Sequence, residues 1–180
     1  MGRQYRNTTR SYGLVARILH WISVALLGAV LVLAAAAGAA PSAAERLRQA
    51  ELHVACGLAL LLVMALRLAW RAASRDPLAG YTLARWRRIL ARATQGFLYG
   101  AVLTQCAIGC LQAGATWVDS GAVVSAADGA TNSAFGIPVA ALVEIHRRLS
   151  VCIVIAVAVH VAGALVHQLF DAAGAEEPTA

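Results

Sequence analysis

Four stretches of this chain, at about residues 14–39, 52–70, 93–113 and 142–170, are each apolar and long enough to cross the hydrocarbon of a bilayer as a helix. Lipid offers no water to satisfy peptide groups, so such stretches must hydrogen-bond internally. The expected fold class is all-α, an integral membrane four-helix bundle running up, down, up and down. Composition agrees, because 60% hydrophobic and 13% charged residues lie outside the range of a soluble domain. No repeat or second unit is visible, so residues 1–180 read as a single four-helix domain.

The flanks of these stretches define a topology. The basic start and small-residue end AAAAGAAPSAA of the first stretch imitate a secretory signal. Its apolar part is too long for one and contains His20 and Trp21, so a retained helix is expected. Pro41 and the polar ERLRQAE segment read as a turn into the second helix. The amino terminus (Arg3, Arg6, Arg10, Arg17) and the 71–92 connector (Arg71, Arg75, Arg85, Arg87, Arg88, Arg92) hold ten of the fifteen basic residues. Both segments, and with them both termini, are expected on the cytoplasmic side of the membrane. The 114–139 connector, with Trp117, Val123, Val124 and Phe135, is expected to lie on the outer surface as a lid. The arginines flank apolar runs without interleaved aromatics, so the net charge of +6 reads as membrane anchoring and excludes nucleic acid as a partner. Cys56, Cys106, Cys110 and Cys152 form no CxxC or CxxCH pattern, which argues against zinc, iron–sulfur clusters and covalent haem.

All five histidines fall in or at the edge of the apolar stretches: His20, His53, His146, His160 and His167. His53 is two residues past Glu51 and His146 two past Glu144, so these two sit just beneath the outer surface. On the inner side His20 follows Arg17, and counting from Asp171 makes His167 its nearer match in depth. A centre at His167 would lie about 31 Å along the helix from one at His146, essentially the full hydrocarbon thickness. His160, about 21 Å from His146 and on the same helix face, leaves a usable electron path and is preferred. One intramembrane imidazole more often hydrogen-bonds a neighbouring helix, but four in two depth-matched pairs point to haem iron bound from both sides. Gly28, Gly57 and Gly163 offer room for a porphyrin. Two non-covalent haem b groups are expected. Iron with two imidazoles has no vacant position, which leaves electron transfer as the chemistry. A haem-free transporter or structural bundle stays open as another class.

At this point the residues resemble the bacterial cytochrome b561 family of four-helix di-haem membrane cytochromes. The likeness rests on RILHWISVALL, HVACGLALLLVMALRLAWR, FLYGAVLTQCAIG and the H-x13-H-x6-H pattern of His146, His160 and His167. It implies His53 and His146 on the outer haem iron and His20 and His160 on the inner. It also implies a place in a bacterial inner membrane and quinone-linked electron transfer. Some relatives resemble superoxide oxidases that reduce ubiquinone, and others look like cytochrome b subunits wiring a hydrogenase, dehydrogenase or periplasmic redox protein to quinone. The expected function is therefore a membrane electron carrier between an outer donor and the quinone pool, either as an oxidoreductase or as such a subunit. Helix 3 departs from the family pattern, with Gln95 where His is frequent and Cys106 where Pro is usual.

Other residues are candidates for contacts with haem propionates or quinone. Arg67 lies fourteen residues after His53, on the same face and level with the proposed inner haem, with Tyr99 and His167 as expected neighbours. Arg147 and Arg148 adjoin His146 and are expected to neutralise propionates or attract a small anionic donor.

Overall fold

The computed structural model describes residues 5, 7–8, 11–74, 85–118 and 136–174, excepting the side chains of 87, 115–118 and 167–174. The connector expected to form an outer lid lies, over residues 119–135, outside the described residues. The described chain forms four helices: α1 (Leu14–Ala39), α2 (Ala43–Ala73), α3 (Arg85–Val118) and α4 (Val139–Gly174).

The helices run past their apolar stretches where local signals favour it. ERLRQAE is not a turn but the opening of α2. Ser42 caps it by accepting a hydrogen bond from the Glu45 amide at 3.2 Å, and Leu, Arg, Gln and Glu propagate a helix well. Ahead of α4, Gly136 adopts φ +70°, a left-handed conformation that favours glycine. Pro138 then accepts from the amides of Ala141 and Leu142 at 3.0 and 3.2 Å. Before α1, Asn7 Oδ1 accepts from the Gly13 amide at 2.9 Å, tying the amino-terminal segment to the helix start.

Side-chain contacts establish the direction of each neighbour. His53 meets Val30 and Arg67 meets Ser23, so α2 runs against α1. Arg67 stacks on Tyr99 and Arg71 bonds Gln95, so α3 runs against α2. Gln105 meets His146 and Gln112 meets Leu142, so α4 runs against α3. Close packing follows chain order, α1 on α2, α2 on α3 and α3 on α4.

The tightest packing lies between the two histidine levels. Val30, Leu60, Met64, Ala101, Val102, Cys106 and Ile153 are buried there, with Leu26, Leu27, Cys56, Leu149 and Val157 packed around them. On α2 the sequence His53, Cys56, Leu60, Met64, Arg67 steps by three and four residues and so forms one face. His146, Leu149, Ile153, Val157 and His160 do the same on α4. The opposite faces carry exposed apolar rows such as Leu58, Leu62, Leu66 and Val151, Ile155, Val159. Water would penalise such rows, whereas lipid accommodates them. All four helices meet the length and hydropathy of membrane spans.

Candidate functional site

At one end of the core, α2 and α4 present His53 and His146 with ring centroids 6.3 Å apart and ring planes inclined at 68°. His53 Nδ1 lies 2.8 Å from the Val30 carbonyl oxygen, which can only accept, so Nδ1 carries the proton and Nε2 keeps its lone pair. This is the tautomer a metal-binding imidazole needs, fixed by a backbone acceptor. His146 Nδ1 is buried with no protein partner. Metal–imidazole bonds of roughly 2 Å place the centroids of two opposed rings about 6 to 6.5 Å apart. The observed spacing fits that arrangement.

Polar residues of α3 and α4 secure the backbone beside His146. Gln105 Nε2 donates to the His146 carbonyl at 3.0 Å and to Ser150 Oγ at 2.6 Å. Ser150 Oγ donates in turn to the same carbonyl at 2.8 Å. Gly109, one turn beyond Gln105, faces the ring: a Cβ there would stand 3.3 Å from His146 Cε1. A Cβ at Gly28, Gly57 or Gly163 would meet no atom within 4 Å, so no protein group presses on the glycines singled out in the sequence.

At the other end, His20 and His160 line one cavity of about 520 Å³ together with Arg67, Trp70, Arg71, Gln95 and Tyr99. That volume is in the range of small-molecule sites. Arg67 is the hub of this region. Its guanidinium donates to Ser23 Oγ at 2.6 Å and to His20 Nδ1 at 3.2 Å, and its Cζ sits 5.2 Å from the Tyr99 ring centroid. Ser23, the one buried polar residue among those described, donates to the His20 carbonyl at 2.7 Å. Arg71 donates to Gln95 Oε1 at 2.8 Å, so the departure at position 95 fills a specific contact.

Thus Tyr99 is the neighbour of Arg67 that the sequence pointed to, while the His167 side chain lies outside the described residues. Arg147 and Arg148 both pair with Glu144 of their own helix, with shortest contacts of 2.9 and 2.6 Å, on the exposed surface. Ser23, Gln105, Gly109 and Ser150 escaped sequence reasoning. Their signals were a polar residue inside an apolar run one turn from a histidine (Ser23 and Ser150) and the Gln105–Gly109 spacing of four. All four described cysteines are free thiols, and no group of three or more metal-ligating side chains gathers among the described residues. Paired imidazoles are accordingly the donor set on which a metal-bearing group would depend.

Antiparallel apolar helices with imidazoles at both ends of a shared apolar core define a multi-pass helical membrane protein. The chain belongs to the prokaryotic cytochrome b561 family, whose sequence model matches residues 11–175. It is a membrane cytochrome of electron transport, and the family implies b-type haem. Among curated proteins and solved structures, nothing matches the chain.

Proposed function

We propose that this cytochrome holds two haem b groups, one between His53 and His146 and the other between His20 and His160. It would carry electrons between a donor at the His146 side and quinone at the Arg67 side. The observation that carries this reading is the 6.3 Å pairing of His53 and His146 on facing helices, repeated in kind by the shared cavity of His20 and His160. Bound haem b supplies reversible one-electron chemistry at iron.

The chain's own residues contribute orientation, exclusion of water and charge. The Val30 carbonyl orients His53, and Gln105 with Ser150 fixes the backbone of His146. Leu60, Met64, Val102 and Ile153 keep the space between the two levels dry. Arg67, Arg71 and Trp70 supply donors to the inner cavity, suited to a quinone carbonyl or a carboxylate. The arginine distribution supports cytoplasmic termini and hence a cytoplasmic position for that cavity. At the outer end Arg147 and Arg148 share one carboxylate, which leaves a positive excess suited to a small anionic donor such as superoxide, with ubiquinone as acceptor.

A reduced-minus-oxidised spectrum with a haem-to-protein ratio tests the count, expected to be two, all released by acid acetone. His53→Ala and His146→Ala should lose one and the same haem, and His20→Ala and His160→Ala the other. A ratio of one, or an inner haem that depends on His167 and not on His160, refutes the assignment.

A further inference from the structure

His20 of α1 and His53 of α2 are held in opposite ways. His53 donates through Nδ1 to a carbonyl, whereas His20 must accept at Nδ1, because a guanidinium has no acceptor to offer. A neutral His20 in this state carries its proton on Nε2. Neither ring nitrogen can then take iron while the Arg67 bond lasts. Ligation through Nδ1 requires Arg67 to vacate that nitrogen. Ligation through Nε2 requires the proton to move to Nδ1, which then can no longer accept from Arg67. The ring keeps one proton throughout, so the relocation is neutral overall.

Arg67 must therefore find another acceptor when the site fills, and the protein supplies little. No carboxylate among the described residues pairs with it, and its other contacts are Ser23, Met64 Sδ at 3.8 Å and the Tyr99 ring. Trp70, whose indole N–H is buried without a protein partner, lines the same cavity. The groups that line the cavity offer only neutral acceptors, and Gln95 Oε1 already takes Arg71, so no carboxylate among them balances the guanidinium and the bound group has to bring one.

We infer that the inner site loads only a porphyrin carrying a free carboxylate, which draws Arg67 off His20 and so releases the imidazole for iron. Arg67 is a specificity-determining residue on this view, and the inference rests on the two-haem reading given above. The outer site has no such requirement, since His53 is already in its ligating tautomer and Arg147 and Arg148 are engaged by Glu144.

The test titrates the haem-free full chain in detergent with iron protoporphyrin IX and, separately, with its dimethyl ester, counting equivalents by Soret absorbance. Two equivalents of the free acid and one of the ester are expected, the ester being lost in His146→Ala and retained in His20→Ala. Arg67→Leu should restore the second equivalent of ester, and Arg67→Gln serves the same purpose if the leucine variant does not insert. Two equivalents of ester in the unchanged chain, or none, overturn the inference alone, as does failure of both Arg67 variants to admit a second. A single equivalent of the free acid overturns the two-haem reading and this inference with it.

Discussion

Gly109 of α3 faces the His146 ring of α4 so closely that a methyl group there would stand 3.3 Å from Cε1 and 3.8 Å from Nδ1. Alanine is the better helix former by about 1 kcal/mol, so Gly109→Ala should not weaken α3 itself. It should displace the imidazole by a few tenths of an ångström. On the two-haem reading proposed above, Gly109→Val should cost the outer haem, at His53 and His146, while sparing the inner one, read from the haem-to-protein ratio. Gly100→Ala, where a Cβ meets nothing within 4 Å, is the control and should keep both. An undisturbed outer haem in Gly109→Val would falsify the claim that this close approach sets the ring.

Gln105 couples α3 to α4 through two donated bonds, at 3.0 and 2.6 Å. Interhelical hydrogen bonds in membranes are each worth about 0.6 kcal/mol and at most about 1.7, so Gln105→Leu should cost roughly 1–3 kcal/mol in all. Thermal unfolding in detergent measures this. Ser150→Ala should cost less, because it removes only one of the two bonds from Gln105 and the bond Ser150 itself donates lies within its own helix. Equal melting of Gln105→Leu and the parent protein rules out Gln105 as a clamp.

Ser23 is 4% exposed and receives the Arg67 guanidinium at 2.6 Å. Ser23→Ala leaves one donor of a charged group without its acceptor, at a cost of about 1–3 kcal/mol. Chemical or thermal unfolding should show that loss, and Ser23→Thr, which keeps the hydroxyl, should recover much of it. A loss just as large in the threonine variant would point to packing at this buried position instead.

On the exposed surface beside His146, Glu144 binds both Arg147 and Arg148. Glu144→Gln removes the shared carboxylate and should speed haem reduction by a small anionic donor. Charge reversal at both arginines should slow it. Either effect should fade as salt rises, since exposed charges are screened within about 8 Å at physiological ionic strength. Stopped-flow rates that ignore these changes at low salt reduce the trio to membrane-surface anchors.

Much of this molecule follows from linear spacing. Four apolar stretches in a medium without water can only be helices, and the 3.6-residue period puts His146, Leu149, Ile153, Val157 and His160 on one face. The same arithmetic aligned Arg67 with His53 before any packing was known. It misread ERLRQAE, because polarity argued for a connector while the Ser42 cap and good helix formers argued for more helix.

Tertiary structure decided how the helices turn toward one another. Apolar helices in lipid meet a solvent as greasy as their own side chains, so hydrophobicity specifies their rotation and register only weakly. The sparse polar contacts settle both. That His53 gives its proton to the Val30 carbonyl, that Arg67 chooses Ser23 and His20, and that Gly109 admits the His146 ring all depend on atoms from different helices. Each partner lies more than twenty positions away along the chain, beyond the reach of any local pattern. The level of each residue was legible from the sequence because it is measured along one helix axis; partnership is measured across two.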